Sequence, residues 1–242
     1  MLAKYENIAV ANGSTDLGQI IQITPTEADA AIAISANIKN KKYIYNAIKR
    51  GFDVISSIIG LILLAPLFIV VAIMIKKEDG GPVIFKQERT GLNNKPFMMY
   101  KFRTMCVNAP EMHKFLLEQN ELDGPAFKMK DDPRITHIGK FLRKSSIDEL
   151  PQLLNILKGE MSVVGPRPLP VYETDQMTDY QNTRHLVKPG LTCYWQVMGR
   201  TEIPFHEWME LDQKYLEKRS IFTDFGLIIM TFRALGAGDG AY

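Results

Sequence analysis

The sequence is poor in the residues on which several common kinds of site depend. It has two cysteines, Cys106 and Cys193, in 242 residues, so no disulfide framework is predicted and a reducing compartment fits. The four histidines are scattered without the spacing of a metal site. A net charge of +2 is too small to indicate a nucleic-acid partner.

Charge is also absent from one long stretch. Val54–Ile75 holds 22 uncharged residues, enough to cross a hydrocarbon core of about 30 Å as a helix. Basic residues flank both ends, whereas a spanning helix usually has excess Lys and Arg on one side. Pro66, near the middle, removes a helical hydrogen bond and favours a kink or break. The residues alone leave open a proline-kinked single-pass anchor, a hairpin that enters and leaves one membrane face, and a buried helix.

Composition changes after this stretch. Val83–Gln87 and Phe97–Arg103 have the composition of strands, and the turn formers between them predict an antiparallel hairpin. Successive strand side chains point to opposite faces, so Lys101 and Arg103 share one face. Two cations there could bind phosphate oxygens; a solvated strand face is the alternative. The whole pattern predicts a helix-rich α/β fold with a small antiparallel β-hairpin, and further helices over Pro110–Glu121 and up to Lys144.

Two adjacent carboxylates, Asp148 and Glu149, lie at the predicted start of a short helix that ends at Gly159. Ser146 and Glu149 have the spacing of a capping box, while Pro151 offers a competing helix start. Capping alone is the simplest interpretation. An ionised carboxylate is also a nucleophile toward phosphorus, and a neighbouring carboxylate can hold Mg²⁺. Nearby arginines would stabilise the transferring group; this half of the chain has Arg134, Arg143, Arg167, Arg184 and Arg200.

A series of spaced motifs carries a resemblance. In order they are Lys49-Arg-Gly-Phe-Asp53, Phe85-Lys-Gln-Glu-Arg89, Lys101-Phe-Arg-Thr-Met105, Asp132-Pro-Arg-Ile-Thr136, Ser146-Ile-Asp-Glu-Leu-Pro-Gln152, Gly159–Pro168, Lys188-Pro-Gly-Leu-Thr192, Trp195-Gln196 with Gly199-Arg200, and Asp212 with Tyr215. This series, over residues 49 to about 235, resembles the bacterial sugar transferases, the small monotopic phosphoglycosyl transferases. The ending at Tyr242 is similar to members that transfer galactose- or glucose-1-phosphate.

The resemblance implies an activity and a role for each candidate residue. Sugar-1-phosphate would pass from a UDP-sugar to undecaprenyl phosphate, with release of UMP, as the first membrane step of exopolysaccharide or capsule assembly. Asp148 would form the covalent sugar-phosphoryl intermediate, and Glu149 would contact Mg²⁺ or assist the lipid phosphate. Arg167 matches a position linked to nucleotide binding. The remaining expected phosphate or structural contacts are Lys101, Arg103, Arg134 and Arg200.

The resemblance also implies a membrane topology. It predicts an N-terminal extension (1–45), a re-entrant helix broken at Pro66 (46–78) and a catalytic domain (79–242) on the cytoplasmic face of the inner membrane. Expected partners are the UDP-sugar, undecaprenyl phosphate and the bilayer, with self-association left open. Ala65 and Cys193 depart from the family pattern, which often has Ser and Gly there; neither departure touches the carboxylate pair.

Two other functional classes remain at this point. One is a nucleotide-sugar glycosyltransferase, against which the absence of an Asp-x-Asp motif counts. The other is a non-enzymatic, membrane-anchored scaffold for polysaccharide assembly. A scaffold would not require Asp148, Glu149 and the arginines to converge, so their positions in the fold discriminate the two classes.

Overall fold

The computed structural model describes residues 26–39, 42–116, 129, 131–199 and 203–237. The helices are α1 (Glu27–Lys39), α2 (Tyr43–Asp79), α3 (Ala109–Leu116), α4 (His137–Lys144), α5 (Leu153–Lys158), α6 (Val171–Thr174), α7 (Asp179–Asn182), α8 (Tyr194–Met198), α9 (Phe205–Lys218) and α10 (Ile221–Ala237). The strands are β1 (Ile84–Thr90), β2 (Pro96–Phe102), β3 (Ser162–Val164) and β4 (Gly190–Thr192), with 3₁₀ helices at Leu92–Asn94, Ile147–Gln152 and Thr183–Leu186. The helix-rich prediction is confirmed.

The predicted hairpin is also confirmed. β1 and β2 are antiparallel, with Phe85 opposite Lys101 and Gln87 opposite Met99. The turn between them places Asn93 and Asn94 at φ values of 54° and 60°, a left-handed region that asparagine tolerates better than most side chains. Lys101 thus lies near the C-terminal end of β2.

A second sheet joins two segments that are distant in sequence. β3 and β4 are parallel, with Ser162 opposite Gly190. A Cβ on Gly190 would lie 2.1 Å from the backbone nitrogen of Gly165, so only glycine allows this approach. The close contact fixes the backbone of the turn that leads to Arg167.

The core that supports the candidate carboxylates lies between α2, β2 and α5. It is built from Phe97, Met99, Leu153, Ile156 and Met161, with Leu61 and Leu64 of α2 packed against them. A neighbouring cluster joins α2 and β2 to Leu142 of α4. The short segment between α4 and α5, which carries Asp148 and Glu149, is therefore anchored on both sides by buried leucines.

Within the described ranges, α2 is the one helix long and apolar enough to cross a membrane by length and composition. Its 37 residues extend about 55 Å at 1.5 Å per residue. The helix continues through Pro66, so the break predicted there is not confirmed by the structure. The proline still deprives the Ile62 carbonyl of its usual hydrogen-bond donor.

Both ends of α2 are bonded to the same globular part of the chain. Near its start, Lys49 Nζ donates to Asp224 Oδ2 at 2.7 Å; at its end, Asp79 pairs with Arg103. A Cβ on Gly60 would lie 3.0 Å from a Leu153 methyl carbon, so the middle of α2 also packs closely. Its other side exposes Ile55, Ile58, Ile59, Ile62, Leu63, Ile69, Val70 and Ile73. α2 thus lies along the domain and presents one apolar side outward.

Local predictions around the carboxylates had mixed outcomes. The helix ending at Lys144 and the stop at Gly159, which has φ 86°, are confirmed. The capping box is wrong: Ser146 adopts φ 55° and makes no side-chain cap, and Glu149 bonds to cations instead. The helix predicted over Pro110–Glu121 is observed as α3, and its remaining residues lie outside the described ranges.

The N-terminal residues include one described helix. α1 packs toward α7 and α9, and Ile34 contacts the core cluster of Val164, Leu216 and Leu227. At least this part of the predicted extension is therefore in contact with the larger domain. The domain boundaries themselves stay predictions.

Candidate active site

The adjacent carboxylates occupy the 3₁₀ helix at Ile147–Gln152. Asp148 is buried, with 6% of its surface exposed, and the side chain of Glu149 is 15% exposed. The left-handed backbone at Ser146 reverses the chain after α4 and turns both side chains toward β2. Two carboxylates withdrawn from water need compensating charge.

Glu149 receives that charge from two cations. Lys101 Nζ donates to its Oε1 at 2.8 Å, and Arg167 Nη1 donates to its Oε2 at 3.0 Å. A second bond, from Arg167 Nη2 to Oε1, completes a bidentate pair. Burial would raise the pKa of Glu149, but Arg167 and Lys101 more than offset this and hold that pKa well below its ordinary value. Glu149 is therefore an ionised anchor that orients both cations.

Asp148 is held differently. Lys101 Nζ is 3.9 Å from its Oδ2, a longer contact than those of Glu149. Burial raises the pKa of Asp148 to about 6; Lys101 opposes this effect and the negative charge of Glu149 adds to it. The pKa of Asp148 is thus raised while the pKa of Glu149 is lowered. Opposite shifts of this kind occur in sites that give paired carboxylates different roles. Asp148 is the carboxylate whose charge is least compensated, which suits a nucleophile.

Arg184 holds the turn that carries Arg167. Arg184 Nη2 donates to the Arg167 carbonyl at 2.6 Å, and Arg184 forms an ion pair of 2.7 Å with Asp212, both side chains being 1% exposed. The Arg167 guanidinium carbon lies 5.9 Å from the centre of the Trp195 ring, within range of a cation–π contact. These contacts fix the guanidinium plane.

Two further cations complete the site. Sequence reasoning named Arg143 as one of several arginines that could stabilise the transferring group, and it assigned Arg89 no role. Arg143 is close enough for its charge to lower the pKa of Asp148, and its Nε donates to Thr104 Oγ1 at 3.0 Å. Arg89 donates to the Pro168 carbonyl at 3.1 Å and influences the pKa of Lys101. The Phe85–Arg89 motif was a signal for Arg89. The position of Arg143 depends on the backbone reversal at Ser146, which no sequence pattern predicted.

Two residues predicted as phosphate or structural contacts, Arg103 and Arg134, pair with carboxylates outside this cluster. Arg103 pairs with Asp79 and donates to the Pro82 carbonyl at 2.6 Å, so it ties β2 to the end of α2. Arg134 forms an ion pair of 2.6 Å with Asp132. Lys101 and Arg103 therefore bind different carboxylates in this structure. Arg200 lies outside the described residues.

The cluster as a whole is positive. Four cations, Lys101, Arg89, Arg143 and Arg167, lie around Asp148 and Glu149, and Asp148 is only partly compensated. Glu173 and Asp132 also act on the outer two cations, Arg89 and Arg143. Partly buried cations held close together are suited to a phosphate-bearing ligand and to the charge that develops during phosphoryl transfer.

The fit to Mg²⁺ depends on how much of the coordination shell the protein must supply. No group of three or more His, Cys, Asp or Glu that could hold a metal is found among the described residues. Mg²⁺ usually needs only one or two carboxylates in addition to substrate phosphates and water. Asp148 and Glu149 meet that smaller requirement. Glu149 would first have to exchange a bond to Lys101 or Arg167.

Known proteins resemble this chain in sequence. A family model described as bacterial sugar transferase matches residues 44–238. The galactosyl transferase CpsE of Streptococcus agalactiae is 45% identical over 209 residues, 86% of this chain and 46% of that protein. The undecaprenyl-phosphate galactose phosphotransferase of Salmonella typhimurium is 40% identical over 199 residues, 81% of this chain and 42% of that protein.

This chain spans less than half the length of these two relatives. The exopolysaccharide production protein ExoY of Rhizobium meliloti has a closer overall extent: it is 38% identical over 202 residues, which are 80% of this chain and 88% of that protein. The match to the family model includes α2 from Ile44 onward, the hairpin, both carboxylates and Arg167. The chain therefore belongs to the bacterial sugar transferase family.

Proposed function

We propose that the protein is a phosphoglycosyl transferase that moves a sugar-1-phosphate from a UDP-sugar to undecaprenyl phosphate, the first membrane step of exopolysaccharide or capsule assembly. The supporting observation is the convergence of a buried, partly compensated Asp148 with an ionised Glu149 and four cations. The name of the Salmonella relative describes such a transfer for that protein. The identity of the sugar depends on pocket shape rather than on this cluster.

The proposed reaction has two displacements at one phosphorus atom. An Asp148 carboxylate oxygen forms a bond to the sugar-bearing phosphorus, and the bond from that phosphorus to the UMP oxygen breaks, so UMP leaves with the electron pair. A phosphate oxygen of undecaprenyl phosphate then attacks the same phosphorus, and Asp148 leaves as a carboxylate. The products are undecaprenyl-diphosphate-sugar and free enzyme.

The remaining residues prepare and stabilise these steps. Because burial removes water from Asp148, bond formation to phosphorus relieves the cost of its desolvated charge. Lys101 and Arg167, held by Glu149, face the negative charge of the transferring group. We also propose a Mg²⁺ that Glu149 would contact; when bound, such an ion would neutralise diphosphate charge.

The alternatives are less well supported by the same geometry. A scaffold has no need for buried carboxylates surrounded by cations, an arrangement that stabilises a fold poorly compared with apolar packing. A metal-dependent glycosyltransferase would be expected to carry the Asp-x-Asp motif that the sequence lacks.

The direct test of the activity is release of UMP from a panel of UDP-sugars by the purified full chain with undecaprenyl phosphate. We expect UMP to form with one or a few of the sugars, and undecaprenyl-diphosphate-sugar to appear in equal amount. Release of UDP instead of UMP would identify a glycosyltransferase, and no nucleotide release with any sugar would favour the scaffold.

Acid should suppress the first displacement. Below about pH 6, protonation of Asp148 removes the nucleophile, and the rate is expected to fall about tenfold per pH unit, since the pKa of Asp148 is about 6. Glu149 stays ionised because its pKa is lowered. Single-turnover UMP formation without lipid acceptor isolates this step from the acceptor phosphate, whose second pKa is also about 6. A rate independent of pH between about 5 and 8 would contradict the assignment.

We further propose that α2 is monotopic, with both ends on the cytoplasmic face of the inner membrane and a bend at Pro66. Its two ends bond to one domain through Lys49–Asp224 and Asp79–Arg103, and one side of the helix exposes aliphatic side chains. A helix that crossed the bilayer would carry these two ion pairs to opposite faces. A bent or inclined helix within one leaflet keeps both ion pairs intact.

Single cysteines can test this topology. Ala47→Cys and Lys77→Cys lie at exposed positions on either side of the apolar stretch. In intact cells, a membrane-impermeant maleimide is expected to label neither variant above the parent chain, and after permeabilisation it should label both. Labelling of only one variant in intact cells would show that α2 crosses the membrane and would contradict the monotopic placement.

A further inference from the structure

A second cationic cavity lies at the first turns of α2. Its volume is about 250 Å³, and its charged lining residues are Lys49, Arg50, Asp53, Lys188 and Arg219. None of its lining residues belongs to the carboxylate pair or to the four cations of the candidate active site. Water fills about 30 Å³ per molecule, and sites for drug-sized ligands usually begin near 300 Å³. The cavity is thus large enough for a small headgroup and small for a nucleotide sugar.

Positive charge in this cavity is only partly neutralised. Asp53, its one carboxylate, accepts hydrogen bonds from Ser162 Oγ at 3.0 Å and from the Val163 backbone at 2.9 Å. Lys49 pairs with Asp224 outside the lining. Arg50 donates only to carbonyl oxygens of α5, at 2.6 and 2.8 Å. Arg50 therefore forms no salt bridge with a carboxylate in the described residues, although its charge lowers the pKa of Asp53.

Lys188 adds a second positive charge that the cavity compensates only in part. Among the described residues its ammonium group has no hydrogen bond or salt bridge within the usual limits. Burial and the charge of Arg50 lower its pKa, and Asp53 opposes this effect in part. A Cβ on Gly159 would lie 3.4 Å from Arg50 Nη2 and 3.5 Å from Lys188 Nζ. The two nitrogens are therefore within about 7 Å of each other, where like charges repel unless an anion lies between them.

The position of the cavity along α2 indicates the source of that anion. Lys49 precedes Val54, the start of the apolar stretch, by five residues, or about 7.5 Å of helix. The polar headgroup layer on each side of a bilayer is about 5–8 Å thick. A helix whose apolar stretch enters the hydrocarbon would place the Lys49 side of the cavity at headgroup depth.

We propose that this cavity binds the phosphate of an anionic phospholipid headgroup between Arg50 and Lys188, at a site separate from the reaction. The bound lipid would fix how deeply the domain sits at the membrane surface. The inference rests on the membrane placement proposed above for α2.

The test uses the purified full chain in mild detergent, titrated with phosphatidylglycerol or with phosphatidylcholine of the same acyl chains. Bound lipid is counted by native mass spectrometry. We expect preferential binding of phosphatidylglycerol, weakened at least about fivefold in Lys188→Gln and retained in Lys188→Arg. Lys140→Gln, which removes an exposed charge on α4, should match the parent chain and is the control for general loss of charge.

Three results would overturn the proposal. They are equal binding by Lys188→Gln and the parent chain, equal binding of the two lipids, and displacement of phosphatidylglycerol by inorganic phosphate alone, which would identify a free-anion site. Flotation of the parent chain with phosphatidylcholine vesicles tests the membrane placement separately from the headgroup site. If the parent chain floats and Lys188 has no effect, only the headgroup site is wrong.

Discussion

Replacing Asp148 by asparagine is expected to lower the rate of UMP formation by at least about 10⁴-fold, because loss of a covalent nucleophile removes the reaction path itself. Asparagine has nearly the same shape but cannot form the acyl phosphate. Single-turnover UMP formation with an accepted UDP-sugar measures the effect. Asp131→Asn, a change at an exposed aspartate, should leave the rate within about twofold of the parent chain.

The folded state should tolerate this substitution. The pKa of Asp148 is raised to about 6 from 3.8, so ionisation of this side chain opposes folding as the pH rises through that range. At neutral pH, neutral asparagine removes this penalty, and the thermal unfolding midpoint should stay equal or rise. A folded Asp148→Asn enzyme with normal turnover would exclude the proposed nucleophile.

Replacing Arg167 by alanine is expected to lower kcat/KM by about 10³-fold. The change removes two charge-assisted hydrogen bonds to Glu149, each of which contributes about 1.5–3 kcal/mol. It also leaves Glu149 buried with Lys101 as its remaining hydrogen-bonded cation. Steady-state kinetics over a range of UDP-sugar concentrations measures the loss.

Arg167→Lys separates charge from geometry. Lysine keeps the positive charge but cannot form the bidentate pair or stack on Trp195 in the same way, so an intermediate loss of about 10–100-fold is expected. Arg233→Ala, at an exposed arginine of α10, is the matched control. Full activity in Arg167→Ala would show that the guanidinium does not act on the substrate or on its neighbours.

Some of the fold could be predicted because its signals are local. Turn-forming asparagines between two strand-like segments predicted the β1–β2 hairpin, and glycine at 159 predicted the end of α5 through its left-handed φ. The association of Asp148, Glu149, Lys101 and Arg167 was expected from the family resemblance. Their separation in sequence gave no physical reason to expect it.

Other features depended on tertiary contacts. The capping box failed because Glu149 gains more from two partly buried cations than from a backbone N–H of Ser146. Arg143 reaches Asp148 only after the chain reverses at Ser146. The ion pair of Arg134 could have been predicted from the sequence, since Asp132, its partner, lies only two residues away. The ion pair of Arg103 could not have been predicted in this way, because its partner Asp79 lies at the end of α2, 24 residues earlier.

The behaviour of α2 shows how packing modifies a local rule. The residues predicted a kink or a break at Pro66, and the helix is continuous through this position, so the break is not confirmed; the helix packs along its length through Gly60, Val71 and Ile75. Contacts with one domain at several points can hold a helix whose hydrogen-bond series lacks one donor.

The central claim is that Asp148 carries the sugar phosphate covalently, and intact-protein mass spectrometry with the lipid acceptor withheld tests it most directly. The purified chain, mixed with an accepted UDP-sugar and quenched, should gain the mass of one sugar-phosphoryl group, located at Asp148 by fragmentation and lost when undecaprenyl phosphate is added. UMP formation in the same sample without any mass gain, or an equal mass gain in Asp148→Asn, would contradict the account.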